Sequence, residues 1–256
     1  MKSWWLGLSP RRRLLMTVVG SVVAVFLASL GIQRLFDQSA VADRSDLGPV
    51  LLIPGYGGNQ ASLSVLADRI RQSGRPAMVI ALPGDGTGDL QEQVAVLRQT
   101  VDDAYSQGAT SVDLIGYSAG GVVARLWAER YGKQARRIIT LGSPMHGTQV
   151  ATAGNTLAPD ACPVACQQLA VGSSVLRPLA DKPVTVPWMS IWTEQDQTVV
   201  PPDSARLDGA VNVPLQSVCP GVRVSHSELP TNHVVTSFVI QAISLQDLTV
   251  PTSTDC

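Results

Sequence analysis

The residues best suited to covalent chemistry lie in the motif GYSAG at residues 116–120, a G-x-S-x-G pattern. An apolar run at residues 111–117 predicts a buried strand that leads into the motif, and helical spacing predicts a helix directly after it. A serine on such a strand–turn–helix exposes its hydroxyl for nucleophilic attack, and the small residues Gly116 and Gly120 let the strand and the helix approach each other. We therefore expect Ser118 to be a nucleophile rather than part of an ordinary glycine-rich turn.

A serine hydroxyl is a weak nucleophile unless a base accepts its proton and a third group orients that base. Where the serine occupies this kind of turn, an acid and then a histidine follow it along the chain. Two of the three histidines qualify, His226 and His233. His226 falls in a loop after the last predicted strand, where a base can reach the serine, whereas His233 falls at the start of the final predicted helix. We favour His226 as the base.

The orienting acid should follow a strand that ends at the same edge of the sheet. Asp196 satisfies this requirement because it lies in the loop after the predicted strand at residues 187–193. Glu194 is the alternative within the same loop, and Asp203 and Asp208 lie farther along the chain. Asp196 could also serve only to cap a turn, as aspartate often does. We favour Asp196 as the acid.

The oxyanion of a tetrahedral intermediate requires preorganised N–H donors. We expect one from Ala119, the residue after the nucleophile, and another from Tyr56 in the loop PGYGG at residues 54–58. The glycines of this loop allow its amides to turn inward, and the Tyr56 ring could also pack over an acyl pocket. The remaining histidine, His146, precedes the acid in the chain, so we expect it to be structural and to hydrogen-bond a loop near the site.

The rest of the chain alternates strands with helices. Buried apolar runs predict strands at 49–54, 77–82, 111–117, 137–143, 187–193 and 211–218, and helical spacing predicts helices at 61–73, 91–106, 120–131 and 232–244. Such alternation predicts an α/β fold, a mainly parallel sheet of about six strands with helices on both faces. One domain at residues 47–256 accounts for all of it, and residues 145–187 are expected to form loops and short helices.

The N-terminus predicts the compartment. Residues 14–32 contain no charged side chain, and this run is about the length that crosses the hydrocarbon core of a bilayer as a helix. The preceding residues 1–13 contain three consecutive arginines, and such a basic segment stays in the cytoplasm. We therefore predict a cytoplasmic tail, a transmembrane signal anchor, a linker at residues 33–46 and a domain outside the cytoplasm.

Two alternatives remain open for residues 14–32. The small-x-small sequence at residues 40–42 fits a signal-peptidase site, in which case the chain is secreted rather than anchored. A buried core helix is the other alternative, although the arginines and the terminal position fit targeting better.

All four cysteines, Cys162, Cys166, Cys219 and Cys256, lie after the apolar segment. An even number of cysteines in an exported chain predicts disulfides. We favour the pairs Cys162–Cys166 and Cys219–Cys256, because the first two cysteines are close in sequence. A zinc site is the alternative, but no histidine lies near the first pair.

The composition excludes two further classes of protein. Of the 256 residues, 45% are hydrophobic and 15% are charged, which argues against a disordered chain. The net charge of −1 argues against a protein that binds nucleic acid through phosphate contacts. We expect a monomer with no nucleic-acid partner, no metal and no organic cofactor.

The motifs together resemble the small bacterial secreted lipases of the α/β-hydrolase superfamily, the lipase class 2 or triacylglycerol-lipase-like group. The resemblance lies in PGYGG at 54–58, GYSAG at 116–120, LGSPMHGT at 141–148, Asp196 with Val200-Pro201 after it, and HSELP at 226–230. It covers residues 49–243 and implies an α/β-hydrolase fold with a catalytic serine, acid and histidine at the positions already named.

Two features depart from this group. Pro54-Gly55 stands where many of these lipases have His-Gly, which removes no catalytic atom. Residues 144–187 leave little room for a long helical lid. We therefore expect a minimal or absent lid and a shallow, solvent-open site.

These residues predict a serine carboxylic-ester hydrolase, a lipase or esterase that acts through an acyl-enzyme on Ser118. Transfer of the same acyl group to an alcohol on a lipid or glycan is the alternative reaction, because it uses the same residues. A non-catalytic binding module of the same fold is a further alternative, against which the intact serine, acid and histidine argue. The expected partners are an acyl-ester or lipid substrate and the membrane. An acyl chain is favoured by apolar residues in the loops expected around the site, namely Leu63, Met145, Leu157 and Val199.

Overall fold

The computed structural model of the chain describes residues 9–37 and 41–256. The chain divides into two compact units, Met1–Ala40 and Val41–Cys256. The second unit begins ahead of the predicted domain start at residue 47. Backbone hydrogen bonds explain the earlier start, because the N–H of Ala42 donates to the carbonyl of Lys133 at 2.8 Å.

In the described residues of the N-terminal unit, a helix, α1, runs over Pro10–Asp37. It continues past the expected end at residue 32, so the first residues of the predicted linker are helical. Over residues 9–37 and 41–256, no helix combines the length and the apolar composition that crossing a membrane requires. Residues 1–8 of the predicted tail and residues 38–40 of the predicted linker, with the first residue of the candidate cleavage site, lie outside the described residues.

The second unit is built on one sheet of six parallel strands, which confirms the predicted sheet. The strands are β1 Val50–Ile53, β2 Ala77–Val79, β3 Val112–Tyr117, β4 Ala135–Leu141, β5 Trp188–Trp192 and β6 Val211–Pro214. Their order is β2-β1-β3-β4-β5-β6. The chain leaves β1 in one direction and returns to its other side as β3, and the carboxyl ends of strands at such a reversal form the crevice where α/β proteins bind ligands.

Helices cover both faces of this sheet. They are α2 Ala61–Gln72, α3 Leu90–Ser106, α4 Ala119–Tyr131, α5 Gln149–Leu157, α6 Val164–Gln168, α7 Leu215–Val218 and α8 His233–Ser244. Short 3-10 helices occur at Gly132–Gln134, Pro159–Ala161, Arg177–Leu179, Pro202–Ala205, His226–Glu228 and Ser253–Asp255. Helices α3 to α6 bury their apolar residues against one face, and α2, α7 and α8 bury theirs against the other. Each central strand is therefore buried on both sides, as its continuous apolar run predicted.

The prediction of a strand over residues 211–218 is wrong for residues 215–218. Strand β6 ends at Pro214, and α7 follows immediately. Proline has no N–H to continue a ladder and favours the position before or at the start of a helix, which explains the early end of the strand.

A buried charge cluster fixes the C-terminal end of α8 to the sheet. Asp113 of β3 is fully buried and pairs with Arg136 and with Arg75, the latter at 3.1 Å. Both arginines also donate to the carbonyl of Ile243 at the end of α8. Cations are stabilised at a helix C-terminus. Burial lowers the pKa of Arg75, because its effect is larger than the opposite effect of the nearby Asp113 carboxylate.

The two predicted disulfides are confirmed. Cys162 pairs with Cys166 and Cys219 pairs with Cys256. All four cysteines are therefore paired in disulfides. The first bridge closes the turn that leads into α6, and the second ties the C-terminus to the residue that follows α7.

Loss of Cys219–Cys256 should destabilise the fold more than loss of Cys162–Cys166. The cysteines are 37 residues apart in Cys219–Cys256 and 4 residues apart in Cys162–Cys166. Because the entropy that a disulfide removes from the unfolded chain grows with loop length, we expect losses of about 4 and about 2 kcal/mol in the free energy of unfolding. Urea denaturation of the two cysteine-to-serine double variants measures both values, and equal losses would contradict the prediction.

Candidate active site

Ser118 lies on a sharp turn between β3 and α4. Its φ of 51° and ψ of −125° are unfavourable for a residue with a side chain. Among the residues that the structure describes, no other non-glycine residue has a positive φ. A conformation of this kind costs of the order of 1–3 kcal/mol and persists only where its surroundings enforce it. The backbone therefore has the form expected of a nucleophile elbow.

Glycines on both sides of Ser118 enforce the turn. A Cβ atom at Gly116 would lie 2.4 Å from Cα of Gly121, and one at Gly120 would lie 2.2 Å from the carbonyl oxygen of Ile53. The sequence analysis named Gly116 and Gly120 for this reason but missed Gly121, where a Cβ would lie 2.0 Å from Oγ of Ser143. The sequence signal for this residue was the pair of consecutive glycines, Gly120 and Gly121, directly after Ala119.

The structure brings Ser118, His226 and Asp196 together. Nε2 of His226 lies 3.0 Å from Oγ of Ser118, and its Nδ1 lies 2.6 Å from Oδ2 of Asp196. The serine and the histidine are each 9% exposed, and Asp196 is 5% exposed. The hydroxyl can thus pass its proton to an imidazole whose other nitrogen is held by a carboxylate.

The buried carboxylate of Asp196 is fully hydrogen-bonded. Its Oδ1 accepts the backbone N–H groups of Thr198 and Val199, both at 2.8 Å, while Oδ2 faces His226. A buried charge without such partners would be strongly unfavourable. The loop after β5 therefore folds around the carboxylate and fixes its direction.

The alternatives for acid and base lie elsewhere. His233 is the first residue of α8 and its side chain is exposed. Glu194, Asp203 and Asp208 are also exposed, and the carboxylate that pairs with His226 is that of Asp196. Nε2 of His146 lies 3.0 Å from the carbonyl oxygen of Arg206, which agrees with the structural role expected of it.

Two residues that sequence reasoning missed hold His226 in place. Tyr117 donates its hydroxyl to the carbonyl of His226 at 3.2 Å, and the two ring centroids lie 5.2 Å apart. Burial, with a smaller contribution from Asp196, raises the pKa of Tyr117 to about 12, so this hydroxyl stays protonated. Gly142 has a φ of 56°, and a Cβ there would approach Nδ1 of His226 to 3.1 Å. A side chain at that position would crowd the histidine and Asp196.

The expected oxyanion amides belong to Tyr56 and Ala119, on two segments that adjoin Ser118. Ala119 follows Ser118 directly as the first residue of α4. Gly55, next to Tyr56, is so close to Ser118 that a Cβ at Gly55 would lie 3.0 Å from the serine Cβ. Within the described part of the chain, neither amide N–H has a hydrogen-bond acceptor. Both donors are therefore free for a ligand.

The expectation that four apolar residues line a pocket for the acyl chain is largely wrong. Leu63, Met145 and Val199 are buried in the core, at 0%, 3% and 1% exposure. Their apolar character serves packing of the sheet and helices, which sequence pattern alone could not separate from a pocket wall. Leu157 alone among the four is exposed. The other exposed large apolar side chains on the segments around the site are Tyr56, Val150, Val164 and Val171.

An open cleft of about 530 Å³ runs beside His226. It lies between the loop that carries Asp196 and the loop that carries His226, and it is lined by Gln195, Gln197, Thr198, Arg223, Val224, Ser225, His226, Ser227 and Glu228. The longest helix between residues 145 and 187 is α5, with nine residues. No long helix in that segment covers the cleft.

A sequence profile described as palmitoyl protein thioesterase matches residues 49–187, which is more than half of the chain. The chain belongs to the palmitoyl protein thioesterase family. The matched segment includes Ser118 and both free amides. It ends before Asp196 and His226, whose assignment depends on the geometry described above.

The chain is also similar to several solved structures of lipolytic enzymes. Aspergillus fumigatus lipase B aligns with a TM-score of 0.65 and 19% identity over 78% of this chain and 53% of that chain. The mature form of Bacillus licheniformis lipase BlEst2 aligns with a TM-score of 0.63 and 17% identity over 81% of this chain and 94% of that chain. At such identities the likeness shows the predicted α/β-hydrolase fold alone. This chain spans about half the length of the fungal lipase.

Gly120→Ala should destabilise the protein, whereas Gly221→Ala should not. The added methyl at residue 120 meets the carbonyl oxygens of Ile53 and Pro54 at 2.2 and 2.4 Å, but at residue 221 it meets no atom within 4 Å. We expect Gly120→Ala to lower the free energy of unfolding by about 1–3 kcal/mol or more. Urea denaturation of both variants measures this. Wild-type stability of Gly120→Ala would contradict the close approach of β1 and α4.

Proposed function

We propose that this chain is a serine hydrolase that cleaves acyl esters and acyl thioesters through an acyl-enzyme on Ser118. The observation that carries the proposal is the pair of hydrogen bonds at 3.0 and 2.6 Å that joins Ser118 to His226 and His226 to Asp196. Membership of a thioesterase family supports cleavage of the acyl–sulfur bond, and the sequence motifs resemble those of ester-cleaving lipases.

In the acylation step, Nε2 of His226 accepts the hydroxyl proton as Oγ of Ser118 bonds to the substrate carbonyl carbon. The carbonyl oxygen becomes an oxyanion, which the free N–H groups of Tyr56 and Ala119 stabilise. The tetrahedral intermediate then collapses. The bond to the leaving oxygen or sulfur breaks, and Nε2 of His226 gives that atom its proton.

Deacylation repeats these steps with water. His226 accepts a proton from the attacking water, a second tetrahedral intermediate forms, and Ser118 leaves with the proton returned by the imidazole. Asp196 keeps Nδ1 protonated and stabilises the positive charge on the imidazole during both steps. Because both oxygens of Asp196 are already hydrogen-bonded, little reorganisation accompanies the reaction.

The surroundings of the site support an apolar acyl group as substrate. Tyr56 follows β1, Val150 and Val171 follow β4, and these side chains are 43%, 51% and 53% exposed. Burial of such side chains against a hydrocarbon chain is favourable by about 25 cal/mol per Å² of apolar surface. The open cleft beside His226 supports access of water to the acyl-enzyme.

We also propose that the reaction takes place outside the cytoplasm. Two disulfides support an oxidising compartment. The uncharged residues 14–32 after the three arginines support export of the domain.

Ser118→Ala should abolish hydrolysis without unfolding the protein. The alanine retains the backbone turn but supplies no nucleophile, so we expect kcat to fall by about 10⁴-fold or more. Hydrolysis of matched p-nitrophenyl esters and thioesters, from short to long acyl chains, measures the loss in the full-length chain.

Ser106→Ala serves as the control, because this exposed serine at the end of α3 bonds only the carbonyl of Asp103. It should retain wild-type rates. Wild-type activity in Ser118→Ala would contradict the proposal, and the acyl length at which kcat/KM is highest would give the substrate class.

A further inference from the structure

Thr148 links the segment after β4 to the loop that carries Asp196. It is 6% exposed and stands immediately before α5. Its hydroxyl donates to the carbonyl oxygen of Thr198 at 2.9 Å and accepts the N–H of Val200 at 3.0 Å. A weaker contact at 3.3 Å comes from the N–H of Val150 at the start of α5.

The carbonyl of Thr198 and the N–H of Val199 belong to one planar peptide unit. On one side of this unit, Thr148 holds the carbonyl oxygen at 2.9 Å; on the other, the N–H donates to Oδ1 of Asp196 at 2.8 Å. Since the two groups of a trans peptide point in opposite directions, fixing the oxygen also fixes the direction of the N–H. A hydrogen bond to the carbonyl also polarises the N–H toward the carboxylate.

Thr148 is itself held firmly in place. Its N–H donates to the carbonyl of Leu169 at 3.0 Å, and its carbonyl accepts the N–H of Thr152 at 3.0 Å. The hydroxyl therefore has a fixed position from which to orient the acid loop. An ordinary helix cap would need only the 3.3 Å contact with Val150, yet the two shorter contacts go to the acid loop.

We propose that Thr148 is a positioning residue for the reaction. Its hydroxyl orients the Thr198–Val199 peptide against Oδ1 of Asp196, and this turns Oδ2 toward Nδ1 of His226. The kinetic part of this inference rests on the proposed function, whereas the orientation of Asp196 can be measured without any substrate.

The test compares Thr148→Val with Thr148→Ser in the full-length chain. Valine keeps the shape of threonine and removes the hydroxyl, so we expect kcat to fall by about tenfold or more, with KM little changed. Serine restores the hydroxyl and should restore kcat. The strongly deshielded proton NMR signal of Nδ1–H in the 2.6 Å bond between His226 and Asp196 should move or broaden in the valine variant only.

Thr140→Val is the matched control. Thr140 is a fully buried threonine whose hydroxyl donates to Ser190 and accepts from Trp188, both of which lie on β5 and not in the acid loop. Its variant should lose stability but keep wild-type kcat and the wild-type proton signal. If Thr148→Val does not fold, Thr148→Ala takes its place, because the smaller side chain leaves room for solvent to reach the freed backbone groups.

A folded valine or alanine variant with wild-type kcat and an unchanged proton signal would overturn the proposal. So would an equal effect of Thr140→Val on both readouts, because that result would indicate a general loss of packing. If no form of the protein hydrolyses esters but the signal changes as expected, the proposed function fails and the orientation of Asp196 by Thr148 stands.

Discussion

The turn at Ser118 is the constraint on which the rest of the site depends. Ser118 keeps a positive φ because Gly116 and Gly120 let β3, α4 and β1 come into backbone contact. This turn places the serine at the carboxyl edge of a parallel sheet, where the loops that follow β1, β4 and β5 also emerge. The amides, the acid and the base can all meet at one point only because those loops share that edge.

The second requirement is that a histidine 108 residues beyond the serine lies within 3.0 Å of it. Several contacts from neighbouring loops hold the histidine segment. The Thr193 hydroxyl at the end of β5 donates to the carbonyl of Val224 at 2.7 Å, and Tyr117 donates to the carbonyl of His226. A capping box between Ser225 and Glu228 closes the 3-10 turn that begins at His226. The loop is thus tied to the acid strand and to the serine strand together.

The fold and the central residues of the site could be predicted because each has a local signal. Continuous apolar runs predicted the strands, and chain order after the GYSAG motif singled out Asp196 and His226, which the structure places together. Spacing favoured the observed cysteine pairs.

The features that sequence reasoning missed are contacts between residues far apart in the chain. Thr148 forms a hydrogen bond with Val200, which lies 52 residues later in the chain, and Arg75 forms one with Ile243, which lies 168 residues later. Such contacts leave no periodic pattern to read. Leu63 and Met145 show the converse problem, because an apolar residue in a loop has the same sequence signal whether it fills the core or lines a pocket.

Reaction of the native full-length chain with a fluorophosphonate, followed by intact mass and peptide mapping, tests the central claim most directly. This reagent forms a stable adduct with a serine only where a base and oxyanion donors activate the hydroxyl. The account predicts one adduct per chain, located on Ser118, and a much slower reaction in His226→Ala. The absence of an adduct on the folded protein, or an adduct on another serine, would contradict it.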